Sequence, residues 1–259
     1  GRGATAAQSR GTAAQKKKQN YDESKIKTLS SLEHIRLRTG MYIGRLGDGS
    51  NVDDGIYVLL KEVIDNSVDE FIMGAGNAIR VEIKGSTVKV RDYGRGIPLG
   101  KVVECVSVIN TGAKYNDEVF QFSVGLNGVG TKAVNALSSQ FRVVAFRDGK
   151  YAEARFEKGE LKSEKKGKSS EKNGTYVEFE PDTEIFGEYE YNMEYVEQRL
   201  WNYAYLNSGL SLYLGKQKFE SKNGLLDLLY SEVGDETAYE IGYHKGERLE
   251  LTFSHTSNY

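Results

Sequence analysis

Residues 61–70 read KEVIDNSVDE and lie inside a segment whose apolar residues recur every three or four positions. This spacing places the apolar side chains on one side of a helix and the charged side chains on the other. The apolar positions are Ile56, Leu59, Leu60, Val63, Ile64, Val68 and Phe71. Asp53 or Asp54 is a suitable N-cap and Gly74 follows the last apolar residue, so the sequence predicts a helix from about Asp54 to Phe71.

The polar side of this predicted helix carries Glu62 and Asn66, which are one turn apart on the same face. Glu62 could accept a proton from an attacking water, and the amide oxygen of Asn66 could ligate a Mg²⁺ ion that bridges phosphates. An isolated E-x-x-x-N pattern is more often an ordinary solvated helix face. The functional interpretation therefore depends on residues elsewhere in the chain.

A predicted β-hairpin follows, because residues 79–84 and 87–92 alternate apolar and polar side chains across Gly85-Ser86. Within the second strand Val88, Val90 and Asp92 share one face. If the two valines face the core, the carboxylate of Asp92 faces it as well. The sequence therefore predicts an inward-facing acid at the end of this strand.

This acid opens the second motif, RDYGRGIP at Arg91 to Pro98. A buried carboxylate without a partner is strongly unfavourable, and the exocyclic amine of a purine would supply the missing hydrogen-bond donor. Gly94 and Gly96 allow the backbone to approach a planar ring, which Arg95 could flank. The alternative interpretation is a strand-end aspartate that only opens a glycine turn.

The third motif is VGLNGVGTK at Val124 to Lys132, a glycine-rich loop expected to lead into a helix at Thr131. Such a junction offers free backbone N–H groups and the positive end of a helix dipole to phosphates. The glycine spacing matches neither the Walker A nor the Rossmann pattern. Lys114 adds a cation upstream, although most such lysines are only solvated. Together the three motifs predict a base, an adenine acceptor and a phosphate cradle, and hence an ATP site.

Elsewhere helices and antiparallel strands alternate without a βαβ rhythm, which predicts an α+β fold with a mixed, largely antiparallel sheet and helices on one face. The charged stretch Lys162 to Asn173 is expected to be a solvated loop, and GKQKFESKNG at 215–224 a linker. Further strands are predicted at 141–147, 151–156, 175–179 and 210–214, and further helices or buried runs at 102–109, 131–137 and 193–206.

Composition excludes several other classes of function. The net charge of -2 provides no global basic field for nucleic acid or membranes, so any DNA contact must be local or belong to a partner. Cys105 is the only cysteine and the three histidines are scattered, which argues against an internal disulfide or a zinc site. No apolar run reaches the length of a membrane helix, and we expect a cytoplasmic protein without a membrane partner.

Four patterns thus occur together: E-x-x-D-N at 62–66, D-x-G-x-G at 92–96, G-x-x-G-x-G at 125–130, and the later Gly174-Thr175. This set resembles the Bergerat-type (GHKL) ATP fold, which DNA gyrase, the ninety-kilodalton heat-shock chaperone, sensor histidine kinases and a mismatch-repair protein share. IRLRTGMYIG at 35–44, TGAKYND at 111–117 and QFSVGLNGVG at 121–130 resemble, more narrowly, the B subunits of bacterial DNA gyrase and topoisomerase IV.

The resemblance implies ATP and Mg²⁺ as cofactors and assigns roles to matching residues. Glu62 would be the general base, Asn66 the magnesium ligand and Asp92 the acceptor for the adenine amine. The other residues implied to contact the nucleotide are Gly94, Arg95, Gly96, Arg147 and Thr175 around the pocket, Gly112, Lys114, Leu126, Asn127, Gly128, Val129 and Gly130 in a lid, and Tyr21 and Tyr42 in an arm that crosses to the second protomer.

The resemblance also implies partners. Two B subunits would close as a homodimer on ATP binding, an A subunit would complete a heterotetramer, DNA would pass through the full assembly, and competitive inhibitors would bind the ATP site. The implied domains are a disordered tail at 1–20, an ATPase domain with its dimerisation arm at 21–221, and the start of a transducer domain at 222–259.

Three questions stay open from the sequence. A transducer lysine reaches the γ-phosphate in the family and no segment here matches it, so we expect weak hydrolysis by this chain alone. A non-catalytic nucleotide-binding dimerisation fragment is therefore the main alternative. A sensor-kinase ATP domain is a second alternative, although those domains lack GMYIG and TGAKYND. The choice between gyrase and topoisomerase IV is undecided.

Overall fold

The computed structural model describes residues 31–108, 130–233, 242–246 and 249–254. The helices are α1 (described over residues 31–37), α2 (Thr39–Ile43), α3 (Gly55–Ile72), α4 (Val102–Ser107), α5 (Thr131–Ala136), α6 (Thr183–Phe186), α7 (Met193–Leu206) and α8 (Leu225–Val233). The strands are β1 (Ala78–Lys84), β2 (Thr87–Asp92), β3 (Ser138–Arg147), β4 (Lys150–Glu157), β5 (Glu160–Lys168), β6 (Gly174–Pro181), β7 (Ser211–Leu214), β8 (Gln217–Phe219), β9 (Gly242–Lys245) and β10 (Glu250–Phe253).

The main sheet has eight strands in the order β5-β4-β3-β6-β2-β1-β7-β8. Every neighbouring pair is antiparallel except β1 and β7, which run parallel. Helices α3, α4, α5 and α7 pack on the sheet. The predicted α+β fold with a mixed, largely antiparallel sheet is confirmed.

Helix α3 lies under the centre of this sheet because its apolar stripe is wide and continuous. Ile56, Leu59, Leu60 and Ile64 have no solvent exposure. The large side chains buried with them come from α3 itself and from several strands, and include Tyr57, Phe141, Phe156, Phe179 and Phe219. The polar residues of α3 are therefore held on a helix that packs firmly against the core.

The start of α3 differs in one respect from the expected capping. Asp54 occupies the N-cap position, but its side chain makes no capping hydrogen bond to the helix. Its carboxylate instead accepts from the backbone N–H groups of Gly49 and Asn51 and pairs with Arg45 Nε at 2.8 Å. The buried acid therefore orders the loop that precedes α3.

Two predictions about charged segments are wrong. The stretch expected to be a solvated loop forms most of β5, which pairs with β4 from Lys150 to Glu157. The expected linker contains β8, which pairs with β7 and buries Phe219 completely. In both cases hydrogen bonds to the backbone of a neighbouring strand hold the segment in the sheet, although its polar side chains give no strand pattern.

Beyond β8 the chain forms α8 and the separate β9–β10 hairpin. The division of the chain at residue 221 stays a prediction, as does the disordered tail, because residues 1–30 lie outside the described ranges. In the part of the chain that the structure describes, no helix is both long enough and apolar enough to cross a bilayer.

Candidate nucleotide site

Glu62 lies half-buried on the polar side of α3. Burial raises the pKa of its carboxyl group, and the nearby charge of Asp65 raises this pKa further, while Lys61 acts in the opposite direction. A carboxylate in this setting holds a proton more readily than one in water, which suits a group that must accept a proton from an attacking nucleophile. The environment of Glu62 is thus compatible with its predicted role as a base.

Asp65 is the fixed neighbour of Glu62 on this face of α3. Lys61 Nζ donates to Asp65 Oδ2 at 2.5 Å, and Tyr203 Oη donates to Asp65 Oδ1 at 2.5 Å. Tyr203 belongs to α7, so this hydrogen bond joins two helices. Asp65 is the aspartate of the E-x-x-D-N motif, but nothing in the sequence indicates that Tyr203 reaches it from 138 positions away.

Asn66 contacts the first residue of α5. Its Nδ2 donates to Oγ1 of Thr131, a side chain that is almost fully buried. This hydrogen bond orients the amide so that its nitrogen points to α5 and its carbonyl oxygen is the group that could ligate a cation. The end of the glycine-rich motif therefore meets the E-x-x-D-N motif, as the sequence predicted.

Asp92 faces the core, as its strand position predicted, and is 6% exposed. The expectation that it lacks a donor within the protein is wrong. Its Oδ1 accepts from the backbone N–H groups of Gly94 at 3.0 Å and Thr175 at 3.1 Å, and its Oδ2 accepts from Ser67 Oγ at 3.0 Å. Burial nevertheless raises the pKa of Asp92, because desolvation outweighs these three hydrogen bonds.

Arg95 is paired with Glu70, a residue that sequence reasoning missed. Its backbone N–H donates to Glu70 Oε2 at 2.9 Å, its Nε donates to the same oxygen at 3.1 Å, and its Nη2 donates to Oε1 at 3.0 Å. A Cβ at Gly94 would lie 2.7 Å from the side chain of Glu70. Gly94 is therefore required for this contact, and whether Arg95 also flanks a ligand ring stays a prediction.

Gly96 and Gly174 bring three strand ends close together. Gly96 has φ of +78°, and a Cβ there would lie 2.6 Å from the carbonyl oxygen of Phe146 and 3.4 Å from Cγ of Arg147. At Gly174 a Cβ would lie 2.1 Å from the carbonyl oxygen of Asp92. These glycines have a packing reason that does not involve a ligand, and the predicted contact of Arg147 with a nucleotide stays a prediction.

Three of the predicted site residues, Asn66, Asp92 and Thr175, line one cavity between α3 and the sheet. Its polar lining also includes Ser67, Asp69, Glu70 and Thr131. Valine and isoleucine side chains form the apolar part of the lining, namely Val63, Val90, Ile97, Val106, Val143 and Val177. Apolar walls with a few polar groups are typical of ligand sites, but the cavity volume of about 30 Å³ is well below the roughly 300 to 1,000 Å³ of such sites.

A second, more open cleft adjoins the polar side of α3. Glu62 lines it together with Tyr42 of α2 and Gly130, the residue before α5. The hydroxyl group of Tyr42 lies 2.8 Å from Nδ1 of His34, which holds the ring at the edge of the cleft. The structure thus brings Tyr42, Glu62 and Gly130 to one place.

Several predicted site residues lie outside the described ranges. They are Tyr21 in the arm, and Gly112, Lys114, Leu126, Asn127, Gly128 and Val129 in the lid. Their contacts with a nucleotide or with a second protomer stay predictions.

Comparison with known proteins gives relatives that share most of this chain. It is 66% identical over 244 residues to the B subunit of DNA topoisomerase 4 from Borreliella burgdorferi, an alignment that covers 94% of this chain and 41% of the relative. It is 37% identical to the B subunit of DNA gyrase from Clostridium acetobutylicum, with 79% of this chain and 33% of the relative covered. The chain therefore spans less than half the length of these curated relatives.

The fold matches a solved structure with a TM-score of 0.73 and 31% sequence identity, over 90% of this chain and 65% of the other. That structure is the 43K ATPase domain of Thermus thermophilus gyrase B in complex with an aminocoumarin. A family model described as histidine kinase-, DNA gyrase B- and HSP90-like ATPase matches residues 51–185, a range that includes α3, the Asp92 motif and α5. The chain belongs to this family of histidine kinase-, DNA gyrase B- and HSP90-like ATPases.

Proposed function

We propose that this chain binds and hydrolyses ATP as the ATPase part of the B subunit of a type II DNA topoisomerase. The observation that carries the proposal is the convergence of Asn66, Asp92, Thr131 and Thr175 on one cavity, with Glu62 in the second cleft on the polar side of α3. These residues come from four motifs that are far apart in the sequence. The residue types suit a nucleotide. Asp92 provides a hydrogen-bond acceptor for the base, and Asn66 and Glu62 provide oxygen atoms on the side of the phosphates.

At the closed end of the cavity Asp92 is the adenine acceptor. Ser67, Gly94 and Thr175 each donate one hydrogen bond to this carboxylate. A carboxylate has about four acceptor positions, so one position remains for the exocyclic amine of a purine. The valine and isoleucine lining then contacts the two faces of the ring.

At the open end Asn66 is the magnesium ligand. Among the described residues there is no group of three or more His, Cys, Asp or Glu side chains that could hold a metal ion alone. A single protein ligand such as the amide oxygen of Asn66 fits Mg²⁺, which binds through one or two protein oxygens together with phosphate oxygens and water. When bound, Mg²⁺ would neutralise charge on the β- and γ-phosphates.

Glu62 is the general base in this proposal. Its carboxylate accepts a proton from water while the water oxygen attacks the γ-phosphorus, and ADP leaves with the bridging oxygen. The raised pKa of Glu62 favours the protonated product of this step. Asp65, fixed by Lys61 and Tyr203, stays beside it and does not contact the reacting atoms.

The relatives suggest how this activity is used. The 66% identity to the B subunit of a topoisomerase 4 favours topoisomerase IV over gyrase as the parent enzyme. We infer that ATP binding closes two B subunits as a homodimer, that an A subunit completes the enzyme, and that the assembly passes one DNA duplex through another in the cytoplasm. The aminocoumarin complex of the Thermus thermophilus domain suggests that competitive inhibitors bind the same pocket here.

Replacement of Glu62 by alanine tests the chemical step. We expect Glu62→Ala to abolish phosphate release while ATP affinity changes by less than about twofold, because Glu62 acts on water and not on the nucleotide. Phosphate release is measured with a coupled assay at high protein concentration, and affinity by calorimetry. Glu188→Ala removes an exposed carboxylate and serves as the control. Undiminished hydrolysis by Glu62→Ala would remove Glu62 from the role of base.

A further inference from the structure

Three lysines, Lys150, Lys166 and Lys168, share one face of the β4–β5 pair at the edge of the sheet, and we refer to them as the edge lysines. The register places Lys150 directly opposite Lys168, and Lys166 opposite Ala152. All three side chains are exposed. Directly opposed residues of an antiparallel pair have Cβ atoms about 5 Å apart, and like charges in such positions are destabilising. The strand pairing therefore maintains an unfavourable concentration of positive charge.

Ion pairs within the protein do not relieve this charge. In residues 31–108 and 130–233, none of the edge lysines forms a salt bridge with a carboxylate. The other face of the same strands is different, because Arg142 and Arg155 both contact Glu153. Glu164 shares the face of the edge lysines, which leaves three positive charges against one negative charge there.

The edge lysines line a cleft that is open to solvent. The opposite wall is formed by Leu99, Val102 and Val103, which carry no charge. Glu164 lines the cleft as well, and so does Glu153, whose carboxylate contacts Arg142 and Arg155 on the other face of the strands. A negatively charged group that enters this cleft would contact the ammonium groups of the lysines. The apolar wall has no carboxylate that would repel it.

We propose that the edge lysines bind the phosphate backbone of duplex DNA. The chain as a whole has a net charge of -2, so an attractive surface for a polyanion must be local, and the edge lysines provide one. The inference rests on the proposed function, which makes DNA the polyanion that this protein meets. Lysines on an edge strand also prevent pairing with other sheets, but that role does not account for Lys150, which lies on β4 inside the sheet.

The test compares two triple variants with the same change in charge. Lys150→Gln, Lys166→Gln and Lys168→Gln together neutralise the edge lysines. The control variant combines Lys84→Gln, Lys216→Gln and Lys222→Gln, three exposed lysines near the opposite end of the sheet at β1, β7 and β8. Binding is measured by fluorescence anisotropy with a labelled 20-base-pair duplex at several salt concentrations, about 50 mM being the lowest.

We expect the edge variant to bind DNA at least about tenfold more weakly than the wild type at the lowest salt concentration, and the control variant to stay within about twofold. The slope of log K against log salt concentration should decrease by about 2.7 in the edge variant, because each phosphate contact contributes about 0.9. A third variant with arginine at the three edge positions should retain the wild-type affinity.

Equal weakening in both glutamine variants would show that net charge alone matters, and no weakening in either would show that the edge lysines do not contact DNA. Both results would overturn the inference. So would tighter binding of the wild type to a labelled RNA duplex of the same length. ATP affinity, measured in the same samples, should be equal in all variants. Failure of the proposed function would appear separately, as a wild-type chain that binds no ATP.

Discussion

Asp92 keeps a carboxylate inside the protein because three donors converge on it. Two are backbone N–H groups, of Gly94 and Thr175, and one is the hydroxyl group of Ser67. These donors stabilise the charged form, whereas desolvation destabilises it, and desolvation has the larger effect on the pKa. The residue is therefore costly for stability at neutral pH, which is expected of a group that is retained for ligand binding.

This balance predicts a pH dependence of stability. The raised pKa means that folded Asp92 holds a proton at pH values where the unfolded chain has lost it. Its contribution to the free energy of unfolding is therefore present below its usual pKa of about 3.9 and is lost as pH rises through the raised value. We expect the wild type to lose stability relative to Asp92→Asn between pH 4 and pH 7, measured by urea unfolding.

Asp53→Asn, at an exposed position, is the control for the removal of one carboxylate. A stability difference between wild type and Asp92→Asn that grows in favour of the wild type with rising pH would contradict the prediction, because it would mean that the hydrogen bonds lower the pKa of Asp92.

At the scale of elements, α7 and α3 are joined beside the predicted base. Tyr203 of α7 donates to Asp65 of α3, and the same carboxylate accepts from Lys61. Burial raises the pKa of the Tyr203 hydroxyl well above its usual value, and the neighbouring carboxylate of Asp65 raises it further. The hydroxyl group therefore stays protonated and remains a donor across the accessible pH range.

Replacement of Tyr203 by phenylalanine should lower the free energy of unfolding by about 1 to 2 kcal/mol, because it removes a hydrogen bond to a charged, partly buried acceptor. Urea unfolding measures the change. Tyr205→Phe is a matched control on the same helix: its ring stacks on Trp201, and the described residues offer its hydroxyl group no hydrogen bond. Equal losses in both variants would show that the Tyr203–Asp65 contact contributes nothing specific.

The sequence predicted the elements whose side chains alternate between water and core, and missed those that do not. Helix α3 and the β1–β2 hairpin have regular apolar spacing and were predicted within a few residues. Strand β5 is exposed along nearly all of its length because it is the edge of the sheet, so its side chains carry no alternation. Strand β8 has Phe219 as its only buried residue. Backbone hydrogen bonds to a neighbouring strand determine both β5 and β8, and the pattern of side chains in the sequence does not reveal these bonds.

The same limit applies to the site. Glu62, Asn66 and Asp92 were recognisable because their motifs have characteristic spacing. The supporting contacts of Ser67, Glu70 and Tyr203 were not, since they join different elements of the fold. Ser67 and Asp92 are 25 positions apart, and Asp65 and Tyr203 are 138 positions apart. Only the packing of the helices and strands brings such residues together.

At the scale of the whole molecule, the sheet and α3 form one support for both ends of the site. Asp92 lies where β2 ends, next to β6, which carries Thr175, while Asn66 and Glu62 lie on the helix packed beneath. The cavity between them is lined by side chains from α3, β2, β3 and β6. The proposed function therefore requires a nucleotide to bind with its base against Asp92 and its phosphates toward Asn66 and Glu62.

Isothermal titration calorimetry of ATP with Mg²⁺ tests this requirement most directly, with the wild type compared against Asp92→Asn and the control Asp53→Asn. We expect binding by the wild type and the control, and an affinity about ten- to a hundredfold lower for Asp92→Asn, because a charge-assisted hydrogen bond to the adenine amine is lost. No binding of ATP by the wild type, or an unchanged affinity in Asp92→Asn, would contradict this expectation.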